Sequence, residues 1–284
     1  MTASVVVVGS ANLDIILNVA RRPVAGETLL GSSLKEVPGG KGVNQALSAA
    51  RLVSTVFVGA VGRDSAGQLI EHALAGAGVN IDHVMRGEVP TGRAYIQLTP
   101  DGENSIIVMP LANYEVTPEI AVAALERAQP NLVLAQLEVP EEVTFAAAQW
   151  CRERNARFVF NPSPARSIAG AAVVNADPII VNHVEAQMIL GIESEDHAAL
   201  ARELARQFTS VVLTAGPNGA FIADADEVRH ILGEQVVAVD TTGAGDAFAG
   251  TLAGHLALGA RLVDAAVRAN LEAARVIQLP REER

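Results

Sequence analysis

The stretch Val5-Val6-Val7-Val8-Gly9 constrains the fold more than any other part of the chain. It is a strand-forming run with no polar alternation, so both of its faces must be covered, which is the situation of a central strand in a parallel sheet. Apolar runs of the same kind recur at residues 56–60, 131–136, 158–160, 179–181 and 211–214. Helix patterns lie among them: a small-residue stretch ending at Arg51, then residues 65–77 with Gly76 and Gly78 at the end, then residues 141–152. Two more close the chain, at residues 247–258 and from 262 to about 278. Strand and helix thus alternate from residue 5 to about 278, which predicts an α/β fold with helices on both faces of a mostly parallel sheet. No internal repeat or low-complexity linker divides the chain, so residues 1–284 are expected to form a single domain.

Two segments break the alternation. Residues 15–37 are strand-like and interrupted by Pro23 and Gly26, with no crossover helix. Arg93 to Leu98 alternates cleanly, Asp101-Gly102 reads as a turn, and residues 105–109 return as a second strand, so this is a hairpin that puts Ala94, Ile96 and Leu98 on one face. Residues of about 15–37 and 91–110 together predict a small antiparallel lid inserted in the larger domain.

The formal net charge of -11, without a basic run, argues against nucleic acid or an anionic membrane as partner. The single cysteine, Cys151, cannot form an internal disulfide, and the valine run is far too short for a membrane span or signal segment. These features predict a soluble cytoplasmic protein. Gly9-Ser10-Ala11 lacks the later glycines of a dinucleotide fingerprint, and the Walker A spacing occurs nowhere.

The chemistry-bearing residues gather in short strings. Residues 235–239 read as β-like and feed Asp240-Thr241-Thr242-Gly243-Ala244-Gly245-Asp246, which opens an apolar helix with Asp246 in its first turn. Unpaired N–H groups, the helix dipole and glycines without Cβ atoms make such a turn an anion hole, although a lone Gly-Asp pair can equally be a cap. Pro38-Gly39-Gly40-Lys41-Gly42-Val43-Asn44-Gln45-Ala46 offers backbone N–H groups and one ammonium at another helix start. Asn12 and Asp14 stand just past the carboxyl end of the valine strand, where open α/β sheets place ligands; turn chemistry is the plainer reading of the two alone. Asn182 and Glu185, three apart at a helix start, have the oxygen chemistry of a hydrated Mg²⁺ site. His183 between them is read as packing.

These strings resemble the PfkB family of carbohydrate kinases. Asp240 to Asp246 is similar to the family's second signature, and Gly39 to Ala46 to its first, in a form nearest the ribokinase branch. The resemblance implies a ribokinase-like three-layer αβα fold, an antiparallel β lid, and ATP-dependent phosphorylation of a primary hydroxyl on a small sugar. Asp246 would be the catalytic base, with Gly243, Ala244 and Gly245 supplying the anion hole. Asn12, Asp14, Gly39, Gly40, Lys41, Asn44, Glu138 and Asp246 itself would hold the sugar. Asn182, Thr214, Gly216, Gly219 and Asn270 would meet ATP, Asn182 and Glu185 would hold Mg²⁺ through water, and Asp240 and Thr242 would contribute to a K⁺ site. A homodimer through the lid strands is implied as well, and Asn161-Pro162-Ser163-Pro164 is similar to a structural strand end in the family. The helix ending near Val53 is about one residue shorter than usual, and the family's later adenine loop and final helix are not recognisable after residue 278. Ribose is the acceptor the resemblance favours. Deoxyribose, another sugar, a nucleoside such as pseudouridine, and an inactive sugar-binding homologue remain open alternatives.

Overall fold

The computed structural model describes residues 4–100, 104–166, 173–224 and 227–280. The valine run forms β1 (Ser4–Val8), an interior strand two places from one edge of a nine-stranded sheet. Its neighbours on one side are β4 (Ser54–Gly62) and then β5 (Asn80–Gly87). On the other side follow β8 (Leu132–Ala135), β9 (Arg157–Phe160), β10 (Ala176–Asn182) and β11 (Val211–Thr214), then β12 (Ala220–Ala223) and β13 (Val228–Ile231) at the edge. All pairings from β5 to β11 are parallel, and only the last two, β11–β12 and β12–β13, are antiparallel.

The four valines of β1 are fully buried and divide strictly by parity between two cores. Val6 and Val8 face α3 (Pro118–Ala128), α4 (Glu141–Arg154) and α6 (His197–Leu204), through residues such as Leu125, Ala147 and Leu200. Val5 and Val7 face α1 (Lys41–Ala50), α2 (Ser65–Gly76), α7 (Ala244–Ala257) and α8 (Leu262–Val276), through Val43, Ile70, Phe248 and Ala269. A further helix, α5 (His183–Leu190), follows β10. This is the three-layer α/β arrangement expected from the uninterrupted apolar strands. Cys151 is buried in α4, and burial pushes its thiol up to about 12, so it stays protonated and unreactive.

The second sheet has four strands in the order β3 (Ser33–Gly39), β2 (Asn12–Asn18), β6 (Gly92–Leu98), β7 (Asn104–Met109). Its outer pairings are antiparallel, while the central β2–β6 pairing is parallel, because each hairpin arm enters from a separate excursion of the main fold. Asn12 and Asp14 therefore belong to a strand and not to a turn; Leu13 and Ile15, on the opposite face, pack on Ala66 of α2. The Asp101-Gly102 turn lies outside the described residues. Residues 235–239, expected to be β-like, pair with no strand: the Val239 and Asp240 N–H groups both turn to the Ile277 carbonyl, at 2.7 and 3.2 Å, beyond the end of α8. Val237 and Val239 consequently stay exposed. The strands β5, β12 and β13 and the helices α3 and α6 carry too little uninterrupted pattern to have been expected.

Helices α1 and α7 meet at backbone distance. A Cβ added to Gly250 of α7 would lie 2.3 Å from the Gln45 carbonyl oxygen of α1. Helix propensity favours Gly250→Ala by about 1 kcal/mol, but overpacking a close helix contact costs about 1–3 kcal/mol. The expected outcome is a net loss of stability, read as a lower urea midpoint with an unchanged slope.

Candidate active site

Both α1 and α7 begin at the carboxyl ends of the sheet strands, and each begins on a glycine that takes the left half of backbone space. Gly40, before α1, has φ 88° and a Cβ there would lie 2.8 Å from the Asn12 nitrogen. Gly243, before α7, has φ 80° and ψ 0°, the αL conformation. Neither helix has a side-chain cap of its own at that residue. For α1 the cap arrives from elsewhere: Glu138, just past β8, accepts through Oε2 from the Lys41 N–H at 3.1 Å and from Ser10 Oγ at 2.5 Å. Glu138 thus fixes the helix start while still facing the cavity beside it.

That cavity, of about 460 Å³, is lined by Asn12, Asp14, Lys41, Asn44, Glu138 and Asp246. Ala94, Ile96, Ile106 and Val108 of the four-stranded sheet cover it with apolar surface. Asp14 lies flat against Gly39, where any Cβ would sit 2.3 Å from the Asp14 carboxyl carbon. Asn12 is held by a residue that motif reading missed: Asn113, fully buried, donates to Asn12 Oδ1 at 2.8 Å and accepts from the Ala11 N–H at 2.8 Å. A lone asparagine in a 3-10 turn gives no signal in sequence.

Asp246 is 7% exposed, in the first turn of α7. Its two oxygens are met by adjacent residues of α1: Asn44 Nδ2 donates to Oδ2 at 3.2 Å, and Gln45 Nε2 donates to Oδ1 at 3.0 Å. Gln45 was legible as part of the glycine-lysine string but had no role assigned. The Ala244 N–H donates to the Thr241 carbonyl at 3.2 Å, closing the turn that presents Gly243 and Gly245. A Cβ on Gly245 would meet nothing within 4 Å, so this side of the turn opens on free space.

A second cavity, of about 270 Å³, lies on that side. It gathers the expected nucleotide residues Thr214, Gly216, Gly219 and Asn270, with Ala244, Gly245 and Phe248 as neighbours. Asn270 donates to the Leu232 carbonyl at 3.0 Å, and Thr214 Oγ1 to the Val181 carbonyl at 3.3 Å, so each also ties a wall in place. Residues 241–246 are the partition: Thr241 lines both cavities, Gly243 and Asp246 the first, Ala244 and Gly245 the second.

Asn182 and Glu185 form a reciprocal capping box on α5, each bond 2.8 Å long, which accounts structurally for their spacing. The box uses Glu185 Oε2, and the buried Glu185 charge still acts on Lys41. Asp240 Oδ1 accepts from the Thr242 N–H at 2.8 Å in a tight turn. Among the described residues no three His, Cys, Asp or Glu side chains converge as a metal-binding group.

The family model described as pfkB family carbohydrate kinase matches residues 2–281. The chain is 36% identical to a ribokinase of Bacillus subtilis strain 168 over 268 residues, 93% of this chain and 89% of that protein. It is 33% identical to a deoxyribokinase of Salmonella typhi over 259 residues, 88% of this chain and 84% of that protein. The structure of Arabidopsis thaliana ribokinase complexed with ribose and ATP superposes with a TM-score of 0.87 at 28% identity, covering 98% of this chain and 94% of that one.

Lys41 faces this group of acids. Burial alone would lower its pKa, but Asp246, Glu138, Glu185 and Asp14 together outweigh burial and raise it above the ordinary 10.5. A raised folded pKa means that the stabilisation is fully present below the unfolded value and is lost only as pH rises through the folded one. Lys41→Met removes the charge the four acids share. The expected outcome is a drop in melting temperature relative to wild type that holds steady well below pH 10.5 and shrinks as pH rises through and above it, checked by thermal unfolding across that range.

Proposed function

Because this chain belongs to the pfkB family of carbohydrate kinases, and so is a phosphotransferase with an alcohol group as acceptor, we propose that it moves the γ-phosphate of ATP to the primary hydroxyl of ribose. The observation that carries the reading is the placement of Asp246. It stands on the partition between a polar cavity of small-sugar size and a second cavity on the glycine side of the same turn. A ribose lying against Asn12, Asp14 and Asn44 would bring its hydroxymethyl group toward Asp246, which takes the proton as that oxygen attacks phosphorus. The N–H groups of the Gly243–Asp246 turn and the α7 dipole would favour the charge growing on the phosphoryl oxygens. Lys41, cationic and beside Asp246, would add to that stabilisation from the sugar side. The apolar cover of Ala94, Ile96, Ile106 and Val108 would keep water from competing as acceptor.

Asn182 and Glu185 have the hard oxygen donors that suit a hydrated Mg²⁺, and the ion would neutralise the β- and γ-phosphate oxygens. Asp240 and Thr242 would likewise contribute oxygen ligands to a K⁺ site. The four-stranded sheet acts in this reading as a lid on a single domain. Ile106, Ile107, Val108 and Met109, all exposed along β7, favour a homodimer through its strands. No described helix is long and apolar enough to cross a membrane, and a cytoplasmic location fits the ATP supply the reaction needs. Deoxyribose is the second reading, favoured by the deoxyribokinase relative.

Assayed with ATP and Mg²⁺ against ribose, 2-deoxyribose, fructose, adenosine and pseudouridine, the protein is expected to release ADP fastest with ribose. A site whose buried polar groups meet the 2-hydroxyl should disfavour deoxyribose by about a hundredfold or more in kcat/KM; equal turnover on both pentoses would sink the ribose assignment. Asp246→Asn is expected to lower kcat by about 10²–10⁴ while leaving the ribose KM within a few-fold, and wild-type turnover in that variant would remove Asp246 as the base.

A further inference from the structure

Gln45 is fully buried and lines neither cavity, yet it donates to one oxygen of Asp246 at 3.0 Å. The direction of its amide follows from one fixed point. The Ile180 carbonyl can only accept, so Asn161 turns its Nδ2 toward it, at 3.0 Å. Asn161 Oδ1 then faces Gln45, which meets it with Nε2 at 3.0 Å and offers the other N–H of the same nitrogen to Asp246 Oδ1. Gln45 Oε1 is left to accept from Gln136 Nε2 at 2.7 Å. Gln136 Oε1 ends the chain as a buried oxygen without a hydrogen-bond partner. Flipping Gln136 would set that oxygen against Gln45 Oε1, and flipping Gln45 would set its oxygen against both Asn161 Oδ1 and Asp246.

We propose that Gln45 is a positioning residue for Asp246, its amide polarised toward the carboxylate by Asn161 and Gln136. The proposal rests on the phosphotransfer reading, in which Asp246 is the base. The two oxygens of Asp246 then have different duties. Oδ1 is anchored in the core by a donor that no substrate can reach. Oδ2 is met at 3.2 Å by Asn44, which itself lines the sugar cavity, so the hydroxyl of an acceptor can approach the same oxygen. Without the anchor the carboxylate keeps only the longer Asn44 bond on the side the acceptor approaches, so it turns more readily about its Cβ–Cγ bond and the acceptor oxygen loses its fixed direction. The cost falls on the chemical step and not on holding the sugar.

The test is a double-mutant cycle on the whole protein, Gln45→Leu and Gln45→Glu each made in the wild-type and Asp246→Asn backgrounds. Steady-state kinetics with ribose and ATP, ADP binding by calorimetry and melting temperature are measured together. Gln45→Leu is expected to lower kcat by about 10- to 100-fold, the range of one hydrogen bond to a charged group, with both KM values and ADP affinity within about threefold. Gln45→Glu keeps the shape and places a second carboxylate against Asp246, so its kcat falls at least as far; it carries the test if the leucine variant does not fold. In the Asp246→Asn background the further loss from Gln45→Leu is less than about threefold, because the group it acts through is gone. Unchanged kcat, a loss confined to KM, or losses that multiply in the double variant would each overturn the proposal. Wild-type silence on every acceptor removes the parent reading and this inference with it, whereas wild-type turnover with multiplying losses removes this inference alone.

Discussion

The arrangement depends on backbone-to-backbone contact at the carboxyl end of β1. A Cβ at Gly42 would lie 2.6 Å from the Gly9 carbonyl carbon, one at Gly9 would lie 2.8 Å from the Gly42 Cα, and one at Gly250 would lie 2.3 Å from the Gln45 carbonyl oxygen. At these glycines the strand meets α1, and α1 meets α7, at backbone distance. The consequence is that residues distant in sequence are delivered to one point: Asn44 and Gln45 reach Asp246 across 202 and 201 positions. Interiors are close-packed and transmit small displacements, so a fraction of an ångström lost at Gly250 would be lost at Asp246 as well.

Charge distribution follows from the same convergence. Asp14 and Asp246 are buried along with Glu185, and Glu138 caps α1 beside them. Burying carboxylates together is costly unless a cation or hydrogen bonds compensate them. Lys41 supplies the cation, and backbone N–H groups, Asn44 and Gln45 supply much of the hydrogen bonding. Glycines at residues 39, 40 and 42 matter here for a different reason from the turn at Gly243. They let Asp14, Asn12 and Ser10 come close enough for the compensation to work.

Much of this was legible in the sequence where local chemistry sets local structure. Unbroken apolar strands announced the parallel sheet, and the glycine strings announced both helix starts, because positive φ and close approach exclude other residues. The expected sugar residues Asn12, Asp14, Lys41, Asn44 and Glu138 do line one cavity, and Thr214, Gly216, Gly219 and Asn270 another. What the sequence withheld was of two kinds. Residues 235–239 have a strand's composition, but the sheet edge is already occupied by β13, and the Val239 N–H turns instead to the Ile277 carbonyl beyond the end of α8. Asn113, Gln136 and Asn161 are single amides whose roles exist only through partners far away in the chain.

The parallel pairing of β2 with β6 explains why the four-stranded sheet and the cavity it covers cannot be separated. A hairpin lid could be added to any loop, since its strands pair with their own neighbours. Here the central ladder runs Asn12↔Gly92 through Asn18↔Leu98, joining two excursions that leave the main sheet at different strands. Its register sets Asp14 beside Ala94 and Ile16 beside Ile96, so the polar floor and the apolar cover of the cavity beside Asp246 belong to adjacent positions of one sheet. At the Gly92 end, a Cβ would lie 2.2 Å from Asn12 Oδ1 and 2.3 Å from Asn113 Nδ2, which pins that register to the very hydrogen bond holding Asn12. A slip of one residue would turn Asp14 and Asn12 to the α2 side and Leu13 and Ile15 into the cavity. The four-stranded sheet is thereby part of the cavity wall, and any movement of it would carry Asn12 and Asp14 with it.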